Sequence, residues 1–189
     1  MTDRKPYCYL LSTDTVKLTP ELFPDTARFR GVTVVESESG CLKLELPGRG
    51  SAQLCAVTGD ELAPVLEKIR AKLGEYEPDS AATWMSAYLK NVSTAVIMDF
   101  HAENYASQQS AEEVRCTVWE ACNGLWHYPR ESFTNEDGAL VLVARTGGID
   151  GERLVATLND GGWVEYTIDL TNSVRFDRFK RGVLPPGVV

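Results

Sequence analysis

Residues 92–144 carry the boundary signals of a complete folding unit. A mostly apolar run of strand length, 92–100, precedes Ser110-Ala111-Glu112-Glu113, which fits the capping box that opens a helix. The helix is predicted to end at Asn123-Gly124, and Asn135-Glu136-Asp137-Gly138 then predicts a turn between two strands. These signals predict the fold, and none of them identifies a catalytic or binding site.

The rest of the chain continues the alternation of strands and helices. Residues 41–46 alternate apolar with polar side chains, as a half-buried strand does, and 60–74 show helical periodicity between a cap at Asp60 and a stop at Gly74. Asn159-Asp160-Gly161-Gly162 predicts a tight hairpin. We therefore expect an α+β fold: a mixed or mainly antiparallel sheet, two or three helices packed on one face, and a C-terminal β-meander.

The length of 189 residues fits one domain. We predict a single compact α+β domain over 1–189. Within it we expect a helix-containing acidic part at 51–124, a strand meander at 125–170 and an irregular tail at 182–189, where Pro185-Pro186-Gly187 opposes regular structure.

The expected location is the cytoplasm. The longest apolar runs are shorter than a membrane span needs, and the first residues do not resemble a signal peptide. The five cysteines are odd in number and include no Cys-x-x-Cys. We predict reduced, structural cysteines, as is usual in that compartment, with a catalytic thiol as the alternative.

The negative charge is concentrated in the middle of the chain. Residues 51–144 contain six basic and fourteen acidic groups, a difference that equals the whole formal net charge of −8. Such a field repels phosphate and membrane surfaces and attracts basic partners, although acidic helix faces also serve solubility alone. We therefore expect no nucleic acid and no membrane as a partner, and a basic protein as the candidate one.

Asp99 and His101 are the first candidates for chemistry, because residues two apart on a strand project from the same face. With Glu103 they could hold a divalent metal, and Asp99 could orient His101 as a general base. His127 is a second candidate, as a ligand, a base or an exposed contact residue. A small metal-dependent hydrolase is the function that these residues would support.

Several signatures of enzymes and cofactor sites are missing from the sequence. There is no phosphate-binding Gly-x-x-x-x-Gly-Lys loop, no dinucleotide-binding glycine pattern and no Gly-x-Ser-x-Gly elbow. The basic and aromatic run 174–181 is short and is interrupted by Asp177, so we expect Phe176 and Phe179 to dock on the protein body. We expect no cofactor, and whether the chain is an enzyme stays open, with a non-enzyme favoured.

The leading hypothesis is a non-enzymatic protein-binding module whose acidic central face captures a basic partner, by the logic of intracellular inhibitors and immunity proteins. Homo-oligomerisation through an edge strand stays open beside it. The candidate partner-binding residues are carboxylates on the helix predicted between Ser110 and Asn123 and aromatic side chains that we expect near them at the surface: Glu112, Glu113, Glu120, Tyr105, Trp119 and Trp126.

Overall fold

The computed structural model describes residues 7–24, 29–38 and 40–188. Its strands are β1 Cys8–Ser12, β2 Thr33–Glu38, β3 Cys41–Leu46, β4 Gly50–Val57, β5 Tyr76–Glu77, β6 Thr94–His101, β7 Gly124–Tyr128, β8 Ser132–Thr134, β9 Leu140–Ala144, β10 Glu152–Asn159 and β11 Gly162–Asp169. Its helices are α1 Gly59–Arg70, α2 Asp79–Tyr88, α3 Tyr105–Cys122 and α4 Ser173–Lys180. In these residues no helix is both long and apolar enough to cross a membrane.

The chain divides into two compact units. The first comprises the described residues up to Leu62 together with Val92–Gly124, and the second comprises Ala63–Asn91 with the described residues from Leu125 onward. Helix α1 begins in the first unit and ends in the second. The prediction of a single domain over 1–189 stays a prediction.

The first unit is an antiparallel sheet with the strand order β1-β6-β4-β3-β2. One face is apolar because alternate residues of β3 and β4 point the same way; Leu42, Leu44 and Leu54 are buried there. Helix α3 packs on this face. A Cβ placed on Gly50 would lie 2.5 Å from the Cβ of Ser107, so glycine permits the close approach.

The second unit contains the C-terminal strands, in the order β7-β8-β9-β10-β11, with β5 also paired to β9. The predicted hairpin is confirmed: β10 and β11 pair antiparallel around Asp160 and Gly161, which both have positive φ. The meander differs from an all-antiparallel one at a single step, since Val155 of β10 pairs parallel with Leu140 of β9. The α+β class and the mainly antiparallel pairing are confirmed.

Three helices differ from the sequence prediction. Helix α1 ends at Arg70, before the predicted stop at Gly74. Helix α3 begins at Tyr105 and not near Ser110, because Asn104 and Ser107 form the capping box six residues before the predicted one. The basic and aromatic run is helix α4, whose N-cap is Asn172. The expected docking is confirmed, because Phe179 is fully buried in a core cluster of the second unit and Phe176 packs against that cluster.

The expectation of reduced cysteines is wrong for one pair. Cys41 and Cys55 lie directly opposite each other on β3 and β4, with their Cα atoms 4.1 Å apart, and form a disulfide. Cys8, Cys116 and Cys122 are free thiols. Because disulfides are rare in reducing compartments, this pair removes the support that the cysteines gave to a cytoplasmic location.

Candidate functional site

Helix α3 is held at its start by side chains. The Asn104 carboxamide oxygen accepts from the Ser107 backbone N–H at 3.1 Å, and the Asn104 backbone N–H donates to the Ser107 hydroxyl at 3.1 Å. The Asn104 side chain also donates to the Gly48 carbonyl at 2.8 Å, which ties the helix to the loop between β3 and β4. These bonds satisfy backbone groups that the first helical turn leaves open.

The single basic residue between 94 and 124 is Arg115, and it faces inward. Its side chain is 18% exposed, and its guanidinium contacts the Glu112 carboxylate, which is 56% exposed. The hydrogen bond from Arg115 holds the pKa of Glu112 below its usual value. Helix α3 contains three acidic residues, Glu112, Glu113 and Glu120, against this one arginine, so its net charge is negative.

Three predicted partner-binding residues form a stripe along α3. Tyr105, Glu112 and Trp119 are seven residues apart, and seven residues are nearly two whole turns, so they share one side of the helix over about 21 Å. Tyr105 is 76% exposed. Trp119 is partly exposed, and its indole N–H donates to the Gly124 carbonyl at 3.1 Å, which fixes the ring.

The two remaining predicted carboxylates form a second, adjacent stripe. Glu113 and Glu120 are also seven residues apart, at about 100° around the helix from the first stripe. Glu120 is exposed and Glu113 is half-buried. The structure therefore brings five of the six predicted partner-binding residues together on two neighbouring sides of one helix.

The sixth residue, Trp126, does not belong to this surface. Its side chain is 3% exposed, so the expectation of an exposed aromatic is wrong here. Strand β7 is covered on both faces. A short apolar run in the sequence predicts a strand but does not show whether one face or both are buried. The backbone N–H of Trp126 donates to the Thr134 hydroxyl at 3.0 Å.

His127 is also buried, contrary to the expectation of a surface contact. Its ring stacks on Phe133 with centroids 4.0 Å apart, and its Nδ1 lies 3.4 Å from the Ser132 carbonyl oxygen. Burial lowers the pKa of His127 to about 4. A neutral imidazole packed between aromatic rings stabilises the core and is not placed to contact a substrate.

Asp99 and His101 line an open depression of about 340 Å³ on the face of the first sheet opposite α3. The strand register places Gln53 opposite Asp99 and Ser51 opposite His101, and β3 adds Lys43 and Glu45 beside them. These six residues form two rows of three across β3, β4 and β6: Lys43-Gln53-Asp99 and Glu45-Ser51-His101. We call this set the polar array.

The predicted metal ligands are only partly brought together. His101 Nε2 lies 3.4 Å from Glu103 Oε1, and both side chains are about half exposed. Asp99 shares the depression with His101, whereas Glu103 does not line it. Within the described ranges, no three His, Cys, Asp or Glu side chains are placed to hold a metal ion, and the metal site stays a prediction.

The free thiols are poorly suited to nucleophilic catalysis. Burial raises the pKa of Cys8 to about 12 and that of Cys122 to about 11. The pKa of Cys116 is also raised, chiefly by burial. Because the thiolate is the reactive form, all three are protonated at neutral pH.

Four residues of the polar array were not found from the sequence: Lys43, Glu45, Ser51 and Gln53. The signal was present, because the turn at 47–49 predicts a hairpin between β3 and β4. If Leu46 pairs with Gly50, then every second pair outward lies on the exposed face. These pairs are 45 with 51, 43 with 53 and 41 with 55. The same register would have revealed the disulfide.

The fold and the two surfaces define an α+β protein with an acidic helix on one face of a sheet and a polar array on the other. No protein-family model, no curated protein and no solved structure matches the chain.

Proposed function

We propose that this protein is a non-enzymatic binding module whose helix α3 captures a basic segment of another protein. The observation that carries the proposal is the combination of two adjacent stripes, one with Tyr105, Glu112 and Trp119 and one with Glu113 and Glu120. We call these five residues the acidic stripe. Its occupant is a segment that carries lysine or arginine next to apolar side chains.

The aromatic residues support a role in binding. Tyr105 is mostly exposed in the free chain, where a large side chain gains little from packing. Tyrosine and tryptophan supply much contact area at a small cost in conformational entropy, and they are enriched at interface hot spots. Trp119 is already held by its bond to Gly124, so its ring needs no ordering on binding.

The charges support a basic partner. The Arg115 guanidinium is bound to Glu112 and offsets that carboxylate, so Glu113 and Glu120 carry the net negative charge that α3 presents to an approaching cation. Complementary charge chiefly speeds association and selects partners, while the aromatic anchors supply affinity. We therefore expect binding that weakens as salt is added, because exposed charges are screened.

The first test is affinity capture of tagged protein from a cell lysate, with bound proteins identified by mass spectrometry. We compare the wild type with Glu112→Gln/Glu113→Gln/Glu120→Gln. The matched control is Glu67→Gln/Glu136→Gln/Glu152→Gln, which removes the same charge at exposed positions of the second unit. The proposal requires a basic protein that the wild type and the control retain and the α3 variant loses. Equal capture by all three contradicts it.

A small metal-dependent hydrolase that uses Asp99, His101 and Glu103 stays the alternative. It is favoured by the shared depression of Asp99 and His101 and by the contact of His101 with Glu103. Residence in the cytoplasm stays part of the leading proposal, although the Cys41–Cys55 disulfide weighs against it. Stabilisation by a divalent metal that is lost in His101→Ala would favour the hydrolase.

A further inference from the structure

The polar array has an ordered charge pattern. In the first row Lys43 lies on β3 and Asp99 on β6, with Gln53 between them. In the second row the acidic group lies on β3 instead, as Glu45, with the His101 imidazole on β6 and Ser51 between them. Neighbouring strands are about 4.8 Å apart and alternate residues about 7 Å apart, so the array measures roughly 10 by 7 Å.

This pattern is complementary to itself. A two-fold axis parallel to the strands and above β4 turns a second copy face down and exchanges the positions of β3 and β6. Lys43 then faces Asp99 of the second copy, Glu45 faces His101, and both contacts occur twice. An axis across the strands pairs Lys43 with Glu45 and Asp99 with His101. Both closed arrangements bring unlike groups together, as an isologous interface requires.

The rest of this sheet face is suited to close packing. The row next to the array contains Ile97, Cys55 and Cys41, each half-buried, and the disulfide joins the last two. Helix α3 packs on the other face, so it does not obstruct an approach from this side. Two twisted sheets pack face to face with their strands within about 30° of one another, which either two-fold axis allows.

From these observations we infer that the protein forms a symmetric dimer in which the polar arrays of two copies face each other. The occupant is a second copy of this chain, because the complementarity lies in the array itself. The interface is a sheet face and not an edge strand, and it is separate from the acidic stripe. Six side chains per copy make less than an interface of standard size, so the dimer is weak and sensitive to salt.

The experiment is sedimentation velocity over a range of concentrations up to several hundred micromolar, at low and at high salt. The wild type should shift from monomer to dimer as its concentration rises, and added salt should reverse the shift. Lys43→Glu should remain monomeric with either axis, since it then faces Asp99 or Glu45. Asp99→Lys should remain monomeric with the axis parallel to the strands and Glu45→Lys with the axis across them, because each then faces Lys43. The acidic-stripe variant Glu112→Gln/Glu113→Gln/Glu120→Gln should dimerise as the wild type does.

Mixing single variants separates an interface effect from a folding defect. With the axis parallel to the strands, Lys43→Glu mixed with Asp99→Lys places opposite charges at both facing positions and restores a dimer. With the axis across the strands, Lys43→Glu mixed with Glu45→Lys does so instead. Restoration in one mixture supports the inference and identifies the axis.

Three outcomes would overturn the inference. One is a wild type that stays monomeric throughout the concentration range. Another is a dimer that the array substitutions leave unchanged. The third is a dimer that neither mixture restores, even though circular dichroism shows each variant to be folded.

Discussion

The Arg115 guanidinium contacts the carboxylate of Glu112 one turn earlier on α3. Such a pair on a helix surface contributes only a few tenths of a kcal/mol, so substitution of Glu112 should leave the fold intact. This separation between stability and surface charge makes the proposed function testable by substitution.

We expect Glu112→Gln to lower the free energy of unfolding at pH 7 by about 0.5 kcal/mol or less. Because the pKa of Glu112 is lowered, its contribution is present above the usual glutamate pKa and is lost as the pH falls through the lowered value. Urea unfolding measures the change, with Glu67→Gln on α1 as the matched control. A loss of several kcal/mol would mean that the pair is part of the structural core.

His127 should make stability depend on pH. Its pKa is lowered from 6.5 to about 4 by burial, so the unfolded chain binds a proton at pH 5 that the folded chain does not. The free energy of unfolding should therefore fall by about 2 kcal/mol from this group alone between pH 7 and pH 5. His127→Phe should remove this part of the pH dependence, and His101→Asn should not. Equal slopes in all three proteins would contradict the burial of a neutral imidazole.

The Cys41–Cys55 disulfide should stabilise the protein measurably. It closes a loop with a sequence separation of 14, for which the restriction of the unfolded chain is worth about 3 kcal/mol. Cys41→Ser/Cys55→Ser should unfold at a lower temperature than the wild type, and reducing agent should lower the wild-type midpoint while leaving that of the variant unchanged. Cys116→Ser is the control and should keep the sensitivity to reductant. A wild type indifferent to reductant would show that the bond is not formed.

Gly124→Ala should destabilise the first unit. A Cβ at this position would lie 2.6 Å from the Leu11 carbonyl oxygen, which is backbone and cannot rotate away. We expect a loss of about 1–3 kcal/mol, as for other overpacked sites. Gly148→Ala is the matched control, because nothing lies within 4 Å of its added Cβ and its φ is not positive. Equal stability of the two variants would contradict the close approach at Leu11.

The features that the sequence predicted well are local ones. The end of α3 at Asn123 and the turn at Asp160-Gly161 depend on left-handed backbone conformations, which only a few residue types adopt readily. The start of α3 was predicted wrongly because Ser110 and Glu113 match the usual capping-box pattern more closely than Asn104 and Ser107, which form the box in the structure. In each case the decisive interaction spans only a few residues.

Features that depend on burial or register could not be predicted in the same way. The sequence around Trp126 and His127 fits an exposed strand as well as a buried one. Both side chains are buried because β7 is covered on both faces. The polar array needs β6 paired to β4, which brings together residues 46 and 50 positions apart in sequence. The three carboxylates of the acidic stripe were predicted on one helix, whereas Tyr105 joins them only because α3 begins at residue 105.

The measurement that tests the account most directly is the dissociation constant of the captured basic protein over a range of salt concentrations. It is determined for the wild type, for Glu112→Gln/Glu113→Gln/Glu120→Gln and for Glu67→Gln/Glu136→Gln/Glu152→Gln. The account predicts that the α3 variant binds at least about tenfold more weakly at low salt and shows a flatter salt dependence, while the control matches the wild type. Equal affinity and equal salt dependence in all three proteins would contradict binding through the acidic stripe.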